Sequence, residues 1–137
     1  AKYMSALFKV CGNLERIGDH AMNICEYTKM MDEKGISLSK PELEEVASMK
    51  TICLEALEIL EQIKKGSKED FRKVEAVEKK IDDMTKIYRQ NQIDRMEAGQ
   101  SSDEASILYS EMLTDFERIG DHILNIGQEM GLGKVGA

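Results

Sequence analysis

Proline occurs once in this 137-residue chain, tryptophan is missing, and aromatic residues make up only 5% of the sequence. Strands favour aromatic and β-branched residues, whereas a chain that is poor in aromatics and 33% charged is better suited to long helices. The composition therefore predicts an all-α fold. At this length a single domain, spanning residues 1–137, can bury a hydrophobic core without disulfides or metal ions.

Other shortages exclude whole classes of protein. The formal net charge of -7 argues against a basic surface for DNA or RNA, so we expect no nucleic-acid partner. No apolar run approaches the roughly 20 residues that span a bilayer. The three cysteines, Cys11, Cys25 and Cys53, form no CxxC pair, and we expect reduced, buried thiols in a cytosolic setting.

Glycine and serine residues divide the chain into four helical segments. Glycine accepts the left-handed backbone angles that end a helix, and a serine hydroxyl accepts the unpaired N–H groups at a helix start. The three breaks are at Gly35 with Ser39, Gly66 with Ser67, and Gly99 with Ser101, and each serine precedes an acid by three residues. Short connections make neighbouring helices antiparallel, which predicts an up-down bundle of four long helices. We expect them near residues 1–33, 40–65, 68–98 and 102–130.

The first and fourth helices are copies of one another. The residues Glu-Arg-Ile-Gly-Asp-His begin at Glu15 and again at Glu117, 102 positions later. The apolar seam of the first helix recurs at the same offset, so the whole helix is a duplicated structural element. That seam comprises Leu7, Val10, Leu14, Ile17, Ala21 and Ile24, and its copy comprises Tyr109, Met112, Phe116, Ile119, Ile123 and Ile126. In an up-down bundle the two copies point in opposite directions, as in a pseudo-twofold arrangement.

Each copy carries two acids four residues apart, which places their side chains on neighbouring turns, away from the apolar seam. A solvated helix face explains any one such pair. Like charges at this spacing repel, however, and the repulsion is kept in both copies. A cation shared by the carboxylates would relieve it, and helix three offers a third pair with the same spacing. We therefore expect a metal site where helices three and four adjoin. The pairs are Glu15 with Asp19, Glu78 with Asp82, and Glu117 with Asp121.

Other residues of the repeat leave alternatives open. His20 and His122 follow the acids by one position, so they either ligate a metal from the side or lie at the edge of the seam. The neighbouring arginines either pair with carboxylates or bind an anion. Gly18 and Gly120 cost roughly 1 kcal/mol each inside a helix and predict close approach of a neighbour. A ferritin-like di-iron core is disfavoured, because it requires inward-facing Glu-x-x-His motifs.

The segments LERIGDHAMNI and FERIGDHILNI resemble the helix-borne signature of the PhoU family, in which an acid, a second acid four residues later and an asparagine recur once per three-helix repeat. Residues 40–130 are similar to one complete PhoU repeat, and helix one, residues 1–33, is similar to the last helix of a preceding repeat. The resemblance thus implies one and a third repeats. The uncapped start agrees with a piece of a longer protein.

This resemblance implies a regulatory protein rather than an enzyme. It suggests the cytosolic PhoU-like domain of a sodium/phosphate cotransporter-related protein, which controls phosphate uptake and contacts the membrane domain or another phosphate-signalling protein. The alternative is a free-standing PhoU-type adaptor for a phosphate ABC transporter and its sensor kinase. A carboxylate-bridged metalloenzyme is a third hypothesis, and a homodimer is compatible with each. The resemblance also implies multinuclear iron or zinc, with ligands Glu15, Asp19, Glu78, Asp82, Glu117 and Asp121.

Overall fold

A computed structural model describes residues 1–131, and four helices account for nearly all of them. The helices are α1 (Lys2–Lys34), α2 (Lys40–Gln62), α3 (Lys68–Glu97) and α4 (Asp103–Met130). Residues 1–131 contain no strand, which confirms the predicted all-α fold. Within the same residues, no helix combines the length and apolar character that crossing a membrane requires.

The connections use the chemistry that the sequence predicts. Gly35, Gly66 and Gly99 have φ angles of 66°, 80° and 68°, in the left-handed region that favours glycine. At the start of α2, the Ser39 hydroxyl accepts from the backbone N–H of Glu42, while the Glu42 carboxylate accepts from the backbone N–H of Ser39. This is a complete capping box, and it fixes where α2 begins.

The end of α2 and the N-cap of α4 differ from the prediction, and the other helix ends agree with it to within one residue. Helix α2 stops at Gln62 instead of residue 65, because the chain becomes extended at Ile63. The N-cap of α4 is Ser102, whose hydroxyl accepts from the N–H of Ala105, and not Ser101. The Ser101 hydroxyl instead donates to Glu42 Oε2 over 3.0 Å. A buried carboxylate needs such donors, so this demand overrides the local capping pattern.

Helix α4 is the centre of the packing. Helices α2, α3 and α4 pack against one another as a three-helix bundle, whereas among the described helices α1 packs against α4 alone. Helices α1 and α4 are antiparallel, because Asn13 lies beside His122 and His20 lies beside Asp115. This agrees with the opposite directions predicted for the two copies.

The core is built mainly on α4, which has the longest set of buried apolar side chains. Its fully or nearly fully buried members include Tyr109, Met112, Leu113, Phe116, Ile119, Ile123 and Ile126. Helices α2 and α3 contribute Met49, Ala56, Val74 and Ile81, all of which are inaccessible to solvent. Burying a large apolar side chain stabilises the fold by roughly 1.5 to 3 kcal/mol, so these contacts carry most of the stability.

The seam predicted for α1 is buried only in part. Ile17 is buried, but Leu7 and Leu14 are 43% and 50% exposed, although their copies in α4 are Tyr109 and Phe116. The difference arises because α2 and α3 cover that side of α4, and no helix within residues 1–131 covers the same side of α1. The expectation of buried thiols is wrong for Cys11 and Cys25, which are exposed on α1, and right for Cys53.

The glycines of α1 and α4 give a matched test of this packing. A Cβ on Gly127 would lie 2.9 Å from Cγ1 of the buried Val74, whereas nothing lies within 4 Å of a Cβ on Gly18. We expect Gly127→Ala to lower the free energy of unfolding by about 1 to 2 kcal/mol, because overpacking outweighs the gain in helix propensity. Gly18→Ala should raise it by about 1 kcal/mol. Urea denaturation of both variants measures the two changes, and equal signs would contradict the assigned packing.

Candidate metal site

The candidate site depends on close approach of α3 and α4. Gly120 allows Ile81 to pack directly against the α4 backbone, because a Cβ there would be only 3.1 Å from Cγ2 of Ile81. Close packing was predicted for both glycines of the repeat, and it is found at Gly120 but not at Gly18. Asp82 of α3 follows Ile81, and Asp121 of α4 follows Gly120. The close approach therefore brings the two aspartates to the same level of the bundle.

Three carboxylates converge at this level. One oxygen each from Glu78, Asp82 and Asp121 lies within 4.8 Å of the other two. The two α3 residues are half-buried, and Asp121 is exposed. All three donors are oxygens, which are the ligands that hard divalent cations prefer.

The electrostatics of this acidic cluster, formed by Glu78, Asp82 and Asp121, are strained. Desolvation, followed by a hydrogen bond with Asp82 and its negative charge, raises the pKa of Glu78 to about 7. Desolvation and the charge of Asp82 also raise the pKa of Asp121, although His122 and Arg118 oppose this effect. Glu78 therefore keeps its proton up to a higher pH than an ordinary carboxyl group, and a cation of higher charge could replace that proton.

The other three predicted ligands lie outside the acidic cluster. Glu117 is half-buried one turn earlier on α4, and it is not among the converging carboxylates. Glu15 and Asp19 are exposed on α1. Because α1 packs only against α4, no helix among residues 1–131 brings acids to them as α3 does to α4.

The histidines of the repeat have a different environment from the acids. His20 Nδ1 lies 2.7 Å from Asp115 Oδ1, and His122 Nδ1 lies 2.9 Å from Asn13 Oδ1. The two imidazole rings stack on each other with 5.5 Å between their centroids. Of the two alternatives left open by the sequence, these contacts favour a place at the edge of the seam.

Sequence reasoning missed Asn13 and Asp115, although both stand at the first position of the repeated segments NLERIGDH and DFERIGDH. The spacing of four also places Asn23, the asparagine of the first motif, on the same stripe of α1 as Glu15 and Asp19. Asn23 instead donates to Asp115 Oδ1 over 3.2 Å, at the contact between α1 and α4. Polar side chains at such a contact follow the same pattern as surface residues, so periodicity alone does not distinguish them.

Comparison with known proteins agrees with this architecture. The sequence matches the PhoU domain over residues 1–28 and 46–130, which is most of the chain. This chain belongs to the PhoU family. No solved structure matches it significantly.

One relative of this chain is a longer protein. The chain is 29% identical over 136 aligned residues to the phosphate-specific transport system accessory protein PhoU homolog 1 of Thermotoga maritima. The alignment covers 94% of this chain but only 55% of the relative. The chain thus spans about half the length of that protein.

The raised pKa of Glu78 predicts how stability depends on pH in the absence of metal. A carboxyl group with a raised pKa in the folded state binds its proton more tightly there than in the unfolded chain. Its stabilising contribution is therefore full below the ordinary value of 4.5 and is lost as the pH rises to about 7. Because the group is partly solvated, we expect a loss of about 1 kcal/mol.

Urea denaturation between pH 4.5 and 7 in the presence of a chelator measures this loss. Glu78→Gln should show a flatter profile than the unmodified chain, since the amide does not titrate. Glu75→Gln, an exposed position one turn earlier on α3, serves as the control. Parallel profiles for the chain and Glu78→Gln would rule out strain at Glu78.

Proposed function

We propose that this chain is a regulatory domain that controls phosphate uptake, and that it is not an enzyme. Membership of the PhoU family supports a role in phosphate-transport regulation, as does a relative named as an accessory protein of phosphate-specific transport. The acidic cluster on α3 and α4 is the feature through which the domain would sense its environment.

Two settings are compatible with this role. In the first, the domain is the cytosolic part of a sodium/phosphate cotransporter-related protein and contacts its membrane domain. In the second, it belongs to a free-standing cytoplasmic adaptor for a phosphate ABC transporter and a sensor kinase. The family assignment supports both settings about equally. Membrane-spanning segments encoded upstream in the same reading frame would favour the cotransporter.

We further propose that residues 40–130 form one complete three-helix repeat and that α1 is the last helix of a preceding one. The open side of α1 supports this assignment, since Leu7 and Leu14 correspond to α4 residues that α2 and α3 bury. A helix pair equivalent to α2 and α3 would cover them. The greater length of the Thermotoga maritima relative is compatible with this arrangement. A homodimer is the alternative means of covering this side.

The acidic cluster is proposed to bind a divalent metal ion. Iron and zinc are the candidates implied by resemblance to the family. The all-oxygen donor set fits iron, the harder of the two ions, better than zinc. Glu78, Asp82 and Asp121 would hold it, and its charge would offset the desolvation and the repulsion that raise the pKa of Glu78. In a longer protein, Glu15 and Asp19 would form part of a second site together with acids from the covering helices.

Metal content tests this proposal. We expect Asp82→Asn combined with Asp121→Asn to reduce bound metal at least tenfold, measured by elemental analysis after purification without chelator. Glu15→Gln combined with Asp19→Asn removes the same charge from α1 and should leave metal content unchanged in this chain. Equal losses in the two double variants would indicate nonspecific binding to surface acids.

Phosphate uptake tests the regulatory role. In cells that lack the native gene, the complete protein should restore the normal repression of radiolabelled phosphate uptake in rich phosphate. The same protein with Asp82→Asn and Asp121→Asn should leave uptake at least twofold higher while reaching the same abundance. Unchanged uptake would oppose regulation through the acidic cluster. Turnover of phosphoesters by the purified metal-loaded protein would instead favour the metalloenzyme.

A further inference from the structure

The contact between α1 and α4 includes polar side chains that lie at the edge of the apolar seams. His20 Nδ1 lies 2.7 Å from Asp115 Oδ1, and the Asn23 amide donates to the same oxygen over 3.2 Å. Asp115 is only 4% exposed, so its charge is largely removed from water. Such a carboxylate is stable only while its donors are in place.

A second cluster has the same arrangement with the two helices exchanged, so that its acceptor lies on α1 and its donors lie on α4. Here Asn13 Oδ1 accepts from His122 Nδ1 over 2.9 Å and from the Asn125 amide over 3.3 Å. Each residue of the second cluster is the copy of a residue in the first, 102 positions away. The two clusters differ at one position, where α4 has the carboxylate of Asp115 and α1 has the amide of Asn13.

The hydrogen bonds determine the direction in which the imidazoles donate. Both acceptors are oxygens, so each imidazole donates from Nδ1. The rings stack at an angle of 21° between the two clusters and connect them. If α1 slipped by one turn, about 5.4 Å, Asp115 would remain buried at the contact without His20 and Asn23.

We infer that Asp115 is a positioning residue, and that one carboxylate, placed in either of the two equivalent clusters, holds α1 in its register on α4. A buried polar pair can select one register among several that apolar contacts alone would allow. Helices α1 and α4 need such a selection of register, because their apolar seams are similar and do not by themselves favour one register. The carboxylate acts through His20, and its effect reaches the turns that carry Asp19 and Asp121.

Moving the carboxylate to the other cluster tests this inference. Asp115→Asn should reduce the hydrogen-exchange protection of α1 amides by about tenfold or more, because His20 and Asn23 would then donate to a neutral amide oxygen instead of a buried charge. Protection at the centre of α2 should stay within threefold. The exposed Glu26→Gln removes the same charge from α1 outside the contact and should leave protection unchanged.

The effect of Asn13→Asp on the hydrogen-exchange protection of α1 should have opposite signs in the unmodified chain and in the Asp115→Asn chain. In the unmodified chain this substitution should lower α1 protection, because it adds a second carboxylate to the same helix contact. In the Asp115→Asn chain it should raise protection to within about threefold of the original, since His122 and Asn125 replace His20 and Asn23 as donors. The same sign in both backgrounds, or unaltered α1 protection in Asp115→Asn, would overturn the inference. A merely structural role for Asp115 predicts no rescue by a substitution on another helix.

Discussion

The structure depends on the burial of α4 on two sides. One side packs against α2 and α3 through side chains such as Tyr109 and Phe116, and the other side holds α1 through residues such as Asp115 and His122. Removing α4 would therefore leave α1 with no helix to pack against within residues 1–131, and α2 and α3 with only each other. Within residues 1–131, α4 is the only helix buried in this way. Helices α1, α2 and α3 each keep much of their charged surface in water.

The acidic cluster follows from this packing. Ile81 lies directly on Gly120, and the adjacent residues, Asp82 and Asp121, are carried together at the edge of the contact. The free energy of core packing thus compensates for repulsion between carboxylates that would otherwise separate. Desolvation at this partly buried position, together with the hydrogen bond with Asp82 and its negative charge, raises the pKa of Glu78 to about 7. A surface pair on a single helix, such as Glu15 with Asp19, has neither the third acid nor the desolvation.

Local signals predicted the helices well, and distant contacts account for the errors. The capping box of Ser39 and Glu42 and the left-handed glycines act within a few residues, so the sequence alone identifies them. Ser101 does not cap α4, because its hydroxyl donates to Glu42, which is 59 residues away in the sequence. Spacing predicted the acid pairs, but it did not show that Glu117 lies outside the acidic cluster. That outcome depends on the register of α3 against α4.

The duplicated helix shows a further limit of periodicity. Leu7 and Leu14 have the same pattern as Tyr109 and Phe116, and only the neighbouring helices make one set exposed and the other buried. Asn13 and Asp115 follow the spacing of surface residues, although they meet at a helix contact. The signal in the sequence that links these two residues is the repeat itself, because it gives both the same position in their helices.

Packing on both sides also constrains how this protein can evolve. A change at Phe116 or Ile119 affects a helix whose two faces serve different partners, so compensation in one neighbour cannot correct a misfit with the other. The outward residues of α2 and α3 meet solvent and can drift without this penalty. Lineages should therefore diversify their binding partners through those outer surfaces, while α4 changes most slowly.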